Sequence, residues 1–89
     1  MTTSIAWEYY RSLLAVLKHG SLSGAARALA ITQPTVGRHI AALEQALGAT
    51  LFTRSQLGLL PTEVALGLWP HAETMEHTAA LMERAAKPA

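Results

Sequence analysis

Gln33, Thr35 and Arg38 stand close together in the stretch ITQPTVGRHIAALE, residues 31–44, with no carboxylate among them before Glu44. Their chemistry is that of reading and holding an anionic, hydrogen-bonding partner. A glutamine amide pairs in bidentate fashion with an adenine edge, a threonine offers a methyl or a hydroxyl, and an arginine reaches guanine or phosphate. A helix that only needs wetting mixes both signs of charge along its polar face, whereas this one withholds acids where a polyanion would lie.

The element carrying these residues is set by Thr32 as N-cap and Pro34 in the first turn, where a missing N–H costs nothing. Val36, Ile40, Leu43 and Leu47 follow at helical spacing and predict the buried face, with Gly48 as a left-handed stop. Gln33, Thr35, Gly37, Arg38 and Gln45 fall on the other face. Gly37 costs the helix about 1 kcal/mol relative to alanine, and it sits in the middle of the reading surface.

Two helices are expected ahead of it. Ser4 caps the first, which runs to about His19 with Tyr9, Leu13, Val16 and Leu17 inward and Gly20 as its stop. Ser21 caps a second near 22–30, whose Ala25 and Ala26 allow close approach of another helix, with Leu29 beside them. The tight link Ala30-Ile31-Thr32 joins it to the helix of the opening stretch, which makes a helix-turn-helix. That motif places the start of its second helix in the DNA major groove, where free N–H groups and the positive dipole end favour phosphate. Arg27 reads either as a phosphate contact or as a plain surface charge.

LFTR at 51–54, SQLG at 55–58 and LLP at 59–61 predict two short strands about a glycine-containing turn. Thr62 and Glu63 then open a last helix to about Ala86, which Pro70 should bend or restart. Along it Ala65, Leu68, Ala72, Met75, Ala79, Met82 and Ala86 alternate steps of three and four, a seam suited to a second chain related by a two-fold axis. The expected architecture is mainly α: a winged helix-turn-helix with a three-helix core and a two-stranded wing over 1–61, then a linker and dimerisation helix over 62–89.

Length and composition bound the alternatives. Eighty-nine residues with 51% hydrophobic content and no cysteine make one core, without disulfides or thiolate metal sites. A cytoplasmic protein is the default expectation; no signal peptide and no stretch of membrane-spanning length is read. Residues 1–60 hold five Lys or Arg against two Glu, a net +3, while 61–89 hold two against four, a net −2. The front of the chain is therefore the part that meets a polyanion.

Over nearly its whole length the chain resembles the N-terminal domain of LysR-type transcriptional regulators, through SLSGAARALAITQPTVGRHIAALEQALGATLFTR and the following PTE. The resemblance implies sequence-specific binding of partly palindromic promoter DNA by a bacterial regulator, as a homodimer joined antiparallel through the linker helices. It implies that Gln33, Pro34, Thr35 and Arg38 read bases, with Thr32 and Gly37 also among the DNA-binding positions, that Ser21 and Ser23 hold phosphates, and that Arg54 serves at the base of the wing. It also implies an effector-binding domain for a small molecule, which these 89 residues do not include. Three positions depart from the pattern: Gly37 for serine, Gln56 and Leu57 for a basic wing tip, and Ala65 for glycine.

Other chemistry finds little support. His19, His39, His71 and His77 share no metal-ligand spacing, Glu73 and His77 suit an exposed ion pair, and no nucleophile elbow or phosphate-loop pattern occurs. No cofactor, metal or enzymatic role is expected. Trp7, Phe52 and Trp69 read as packing anchors. The competing reading is a protein-interaction module of the same shape that does not touch DNA, and the acid-free face with Gln33, Thr35 and Arg38 argues against it.

Overall fold

The computed structural model describes residues 5–88. Helix α1 (Trp7–His19), α2 (Leu22–Leu29) and α3 (Gln33–Leu47) precede a hairpin of β1 (Phe52–Ser55) and β2 (Gly58–Pro61), and α4 (Glu63–Ala86) closes the order. Helix α1 is the hub: it packs against α2, α3 and α4. Leu13, Val16 and Leu17 from α1 meet Ala25 and Ala26 of α2, Val36, Ile40 and Leu43 of α3, and Leu51 and Ala65 in one buried cluster. Tyr9, Phe52 and Trp69 pack against its edge.

Glycine and hydroxyl signals set most boundaries. Gly20 and Gly48 end α1 and α3 with φ of 72° and 65°, a conformation that costs L-residues with a Cβ about 1–2 kcal/mol. The Ser21 hydroxyl accepts from Gly24 N at 3.0 Å and caps α2. Thr62 Oγ1 accepts from Ala65 N at 3.3 Å at the start of α4 and donates to Thr50 O at 2.6 Å, so one hydroxyl ties the helix to the base of the wing.

Three local expectations need correction. Ser4 lies outside the described residues, and the N-cap of α1 is Ala6, without a side-chain cap bond. Thr32 holds the N-cap position of α3, but its hydroxyl bonds Thr35 Oγ1 at 2.8 Å rather than a backbone N–H. Leu47 continues the apolar period yet is 39% exposed, because the end of α3 runs past the core. Helix α4 runs as one element through Pro70, so the proline does not restart it. The proline removes one backbone donor, and the Thr74 hydroxyl donates to Pro70 O at 3.0 Å in the next turn.

The link between α2 and α3 turns on Ala30, whose φ of 57° makes it the one non-glycine with positive φ among the described residues. Its N–H and that of Ile31 return to Ala26 O and Arg27 O, which closes α2 with the paired bonds of a left-handed cap. The wing is a two-residue turn between paired strands, with Ser55 opposite Gly58 and Phe52 opposite Pro61. Gly58 has φ of 116°, a value suited to glycine.

Candidate nucleic-acid interface

The start of α3, the start of α2 and the turn end of the wing converge. Ser21, Leu22, Ser23, Gln33, Arg54 and Ser55 are among the lining of one open groove of about 270 Å³. Capping explains why Ser21 stands there: its oxygen must sit over the first turn of α2, and Ser23 Oγ lies 3.5 Å from it. Gly24 keeps this corner tight, since a Cβ at that position would come within 3.0 Å of both His19 Cβ and Ser21 Oγ.

A second polar array runs along the outer side of α3. Arg38 Nη2 donates to Thr35 Oγ1 at 3.0 Å, and Thr35 Oγ1 meets Thr32 Oγ1 at 2.8 Å. One contact leaves most of the five guanidinium donors unused, and Arg38 is exposed. Because Thr32 makes no cap bond, the N–H groups of Gln33 and Thr35 in the first turn of α3 keep their hydrogen-bonding capacity, while Pro34 has none and Val36 N donates to Thr32 O. No acidic residue occupies the first turn of α2 or of α3. The arrangement can therefore donate hydrogen bonds and carry positive charge over a continuous face.

Of the residues singled out in the sequence, Ser21, Ser23, Gln33 and Arg54 share the groove. Thr32, Thr35 and Arg38 form the neighbouring array, and Pro34 is exposed between them. Gly37 borders an adjoining groove that Arg54 also lines. Arg27 is exposed in the last turn of α2 and lines neither groove.

The seam on α4 divides. Ala65 is fully buried and Ala72 is 2% exposed within the single chain, so both are covered by their own domain. Leu68 is half-buried against the same core. Met75 at 39% and Met82 at 69% remain open, and with Ala79 and Trp7 they line an apolar groove of about 410 Å³. Glu73 and His77 do not pair; Lys18 Nζ instead meets Glu76 Oε1 at 3.3 Å.

Two side-chain contacts missed by sequence reasoning tie α3 to its neighbours. Ser12 is fully buried and its Oγ lies 2.7 Å from His39 Nδ1, whose ring stacks on Tyr9 at 4.6 Å. Glu44 Oε2 accepts from Leu51 N at 2.8 Å, which spends the first carboxylate of α3 on fixing the start of the wing. A polar residue inside the apolar stripe of α1 was the available signal for Ser12; nothing local marked Glu44.

The model of the lysR family of bacterial regulatory helix-turn-helix proteins matches residues 7–66. The protein called PtxE in Stutzerimonas stutzeri is 45% identical over 67 residues, 75% of this chain and 34% of that protein. The chain thus spans about a third of that relative's length. Among solved structures, the CbnR_DBD–DNA complex superposes with a TM-score of 0.80 at 26% identity, covering 91% of this chain and 93% of that one. The BenM_DBD/catB site 1 DNA complex gives 0.77 at 25% identity, over 94% and 99%.

Proposed function

The chain belongs to the LysR family of bacterial regulatory helix-turn-helix proteins and is the DNA-binding domain of a transcriptional regulator, and from that premise we propose how its residues divide the work. Helix α3 enters the major groove with Gln33, Thr35 and Arg38 toward base edges and Thr32, Pro34 and Gly37 against the duplex. Ser21, Ser23 and Arg54 hold phosphates on either side, fixing register without reading sequence. The observation that carries this reading is the single groove that joins the starts of α2 and α3 to Arg54, on a face free of first-turn acids.

Residues 62–89 serve as linker, and two copies associate through the exposed part of α4, where Met75, Ala79 and Met82 leave an apolar groove. Two-fold pairing then matches an inverted repeat in promoter DNA. The relatives are named as transcriptional regulators, so the protein acts by binding and not by catalysis. The cytoplasm is its proposed compartment; among the described residues no helix is long and apolar enough to cross a membrane.

Fluorescence anisotropy with inverted-repeat duplexes tests the reading. Affinity should fall steeply as salt rises, because phosphate contacts release counterions. Arg38→Ala should lose about 1–3 kcal/mol and relax sequence preference. No binding at low salt, or binding indifferent to salt, would sink it.

A further inference from the structure

Gly37 is a glycine the fold does not require. It lies in the interior of α3 and is absent from the positive-φ glycines, Gly20, Gly48 and Gly58. A Cβ built on it meets only Leu22 Cδ1, at 3.9 Å, an ordinary contact. Gly24 gives the contrast in the same molecule, since a Cβ there would meet two atoms at 3.0 Å, tighter than an ordinary contact. Alanine at position 37 would fit and would favour the helix, so the benefit of the missing side chain lies outside the chain.

The surroundings say what comes close. Gly37 borders a groove of about 190 Å³ whose walls are the apolar Leu22, Ala41, Phe52 and Leu59, with Arg54 also lining it. Glu44, the acid in that lining, is engaged by Leu51 N at 2.8 Å. Arg54 also lines the groove of Ser21, Ser23 and Gln33, so the two depressions meet at one cation. An apolar recess beside a guanidinium, continuous with two hydroxyls, alternates in the manner of a sugar–phosphate strand: a sugar has an apolar face, and its flanking phosphates seek donors.

We propose that Gly37 is a seat for a deoxyribose of the DNA backbone, where the missing side chain lets the strand between Ser21 and Arg54 lie against α3. The inference rests on the DNA-binding reading above and adds a residue that contributes affinity through closeness rather than through a base contact. A side chain at position 37 therefore stabilises the protein while pushing the strand away.

The test uses Gly37→Ala and Gly37→Leu in the full 89-residue chain. Each is melted, then titrated by anisotropy against a duplex selected from a random pool and against an unrelated duplex at the same low salt. Gly37→Ala should raise Tm by about 4 °C or more. It should weaken both duplexes by a common factor of about ten, and Gly37→Leu should weaken them further. An alanine variant that binds both duplexes as the parent does overturns the inference. So does a loss confined to the selected duplex with a changed base preference, which would make position 37 a base contact. A parent that binds neither duplex overturns the DNA reading and this inference with it, whereas a parent that binds beside an indifferent alanine variant overturns this inference alone.

Discussion

The two halves of α4 carry the same pattern of alanines and larger apolar residues, yet they do opposite things. In the first half Ala65 is fully buried, Ala72 is 2% exposed, and Leu68 and Trp69 pack on the core. In the second half Met75 and Met82, on the same stripe, are 39% and 69% exposed. The molecule measures 49 Å along its longest axis, and a helix of 24 residues is about 36 Å long, more than a core built around α1 can cover. Periodicity records that a stripe will be buried; what buries it depends on how far the body of the domain reaches.

Breaking the first half should have the largest consequence. Ala65→Asp places a charge with no partner at a position without solvent access, at a cost of about 3–5 kcal/mol. Against the 5–15 kcal/mol typical of a domain, urea unfolding should show a severe loss or no cooperative transition. Ala72→Leu tests the same half more gently, since its 2% exposure leaves no room for added methyl groups. Overpacking should lower stability by about 1–3 kcal/mol. Ala72→Leu as stable as the parent would mean that α4 leaves the domain after its second turn.

The same distinction explains what could be read beforehand. Signals that act within a few residues were legible: Gly20 and Gly48 as left-handed stops, Ser21 as a cap, Thr62 as the opening of α4. The convergence of Ser21, Ser23, Gln33 and Arg54 was legible only through the family resemblance, because strand and helix starts meet there by tertiary packing. Ser12 and His39, 27 residues apart, and Glu44 with the amide of Leu51 join elements whose crossing no local pattern states. Ala30 carried no left-handed signal at all, since alanine is ordinarily helical; the turn imposes its φ of 57°. The seam is of the same kind, a stripe that does not state its neighbour.

Where the halves meet, Lys18 Nζ and Glu76 Oε1 form the only ion pair among the described residues, at 3.3 Å, with side chains 42% and 49% exposed. It ties the end of α1 to α4 just beyond Ala72. At that exposure the pair is screened, and Glu76→Gln should lower stability by about 0.2–1 kcal/mol at low salt and less as salt rises. A salt-independent loss would show that Glu76 acts through packing, and would move the boundary between the halves further along the helix.

Met82→Glu should have the smallest effect on the fold and the clearest effect on assembly. At 69% exposure the side chain contributes little to its own domain, so unfolding of the dissociated chain should change by no more than about 0.5 kcal/mol. The same carboxylate placed in the apolar groove with Trp7, Met75 and Ala79 would face its own copy across a two-fold axis, and two like charges withdrawn from water repel. Sedimentation should therefore report a monomer while the melting temperature of the dilute protein is retained. Binding to an inverted repeat should fall to that of a single half-site, because the second recognition helix is no longer held nearby. A variant that remains dimeric would place the interface off the second half of α4 and remove the contrast between its two halves.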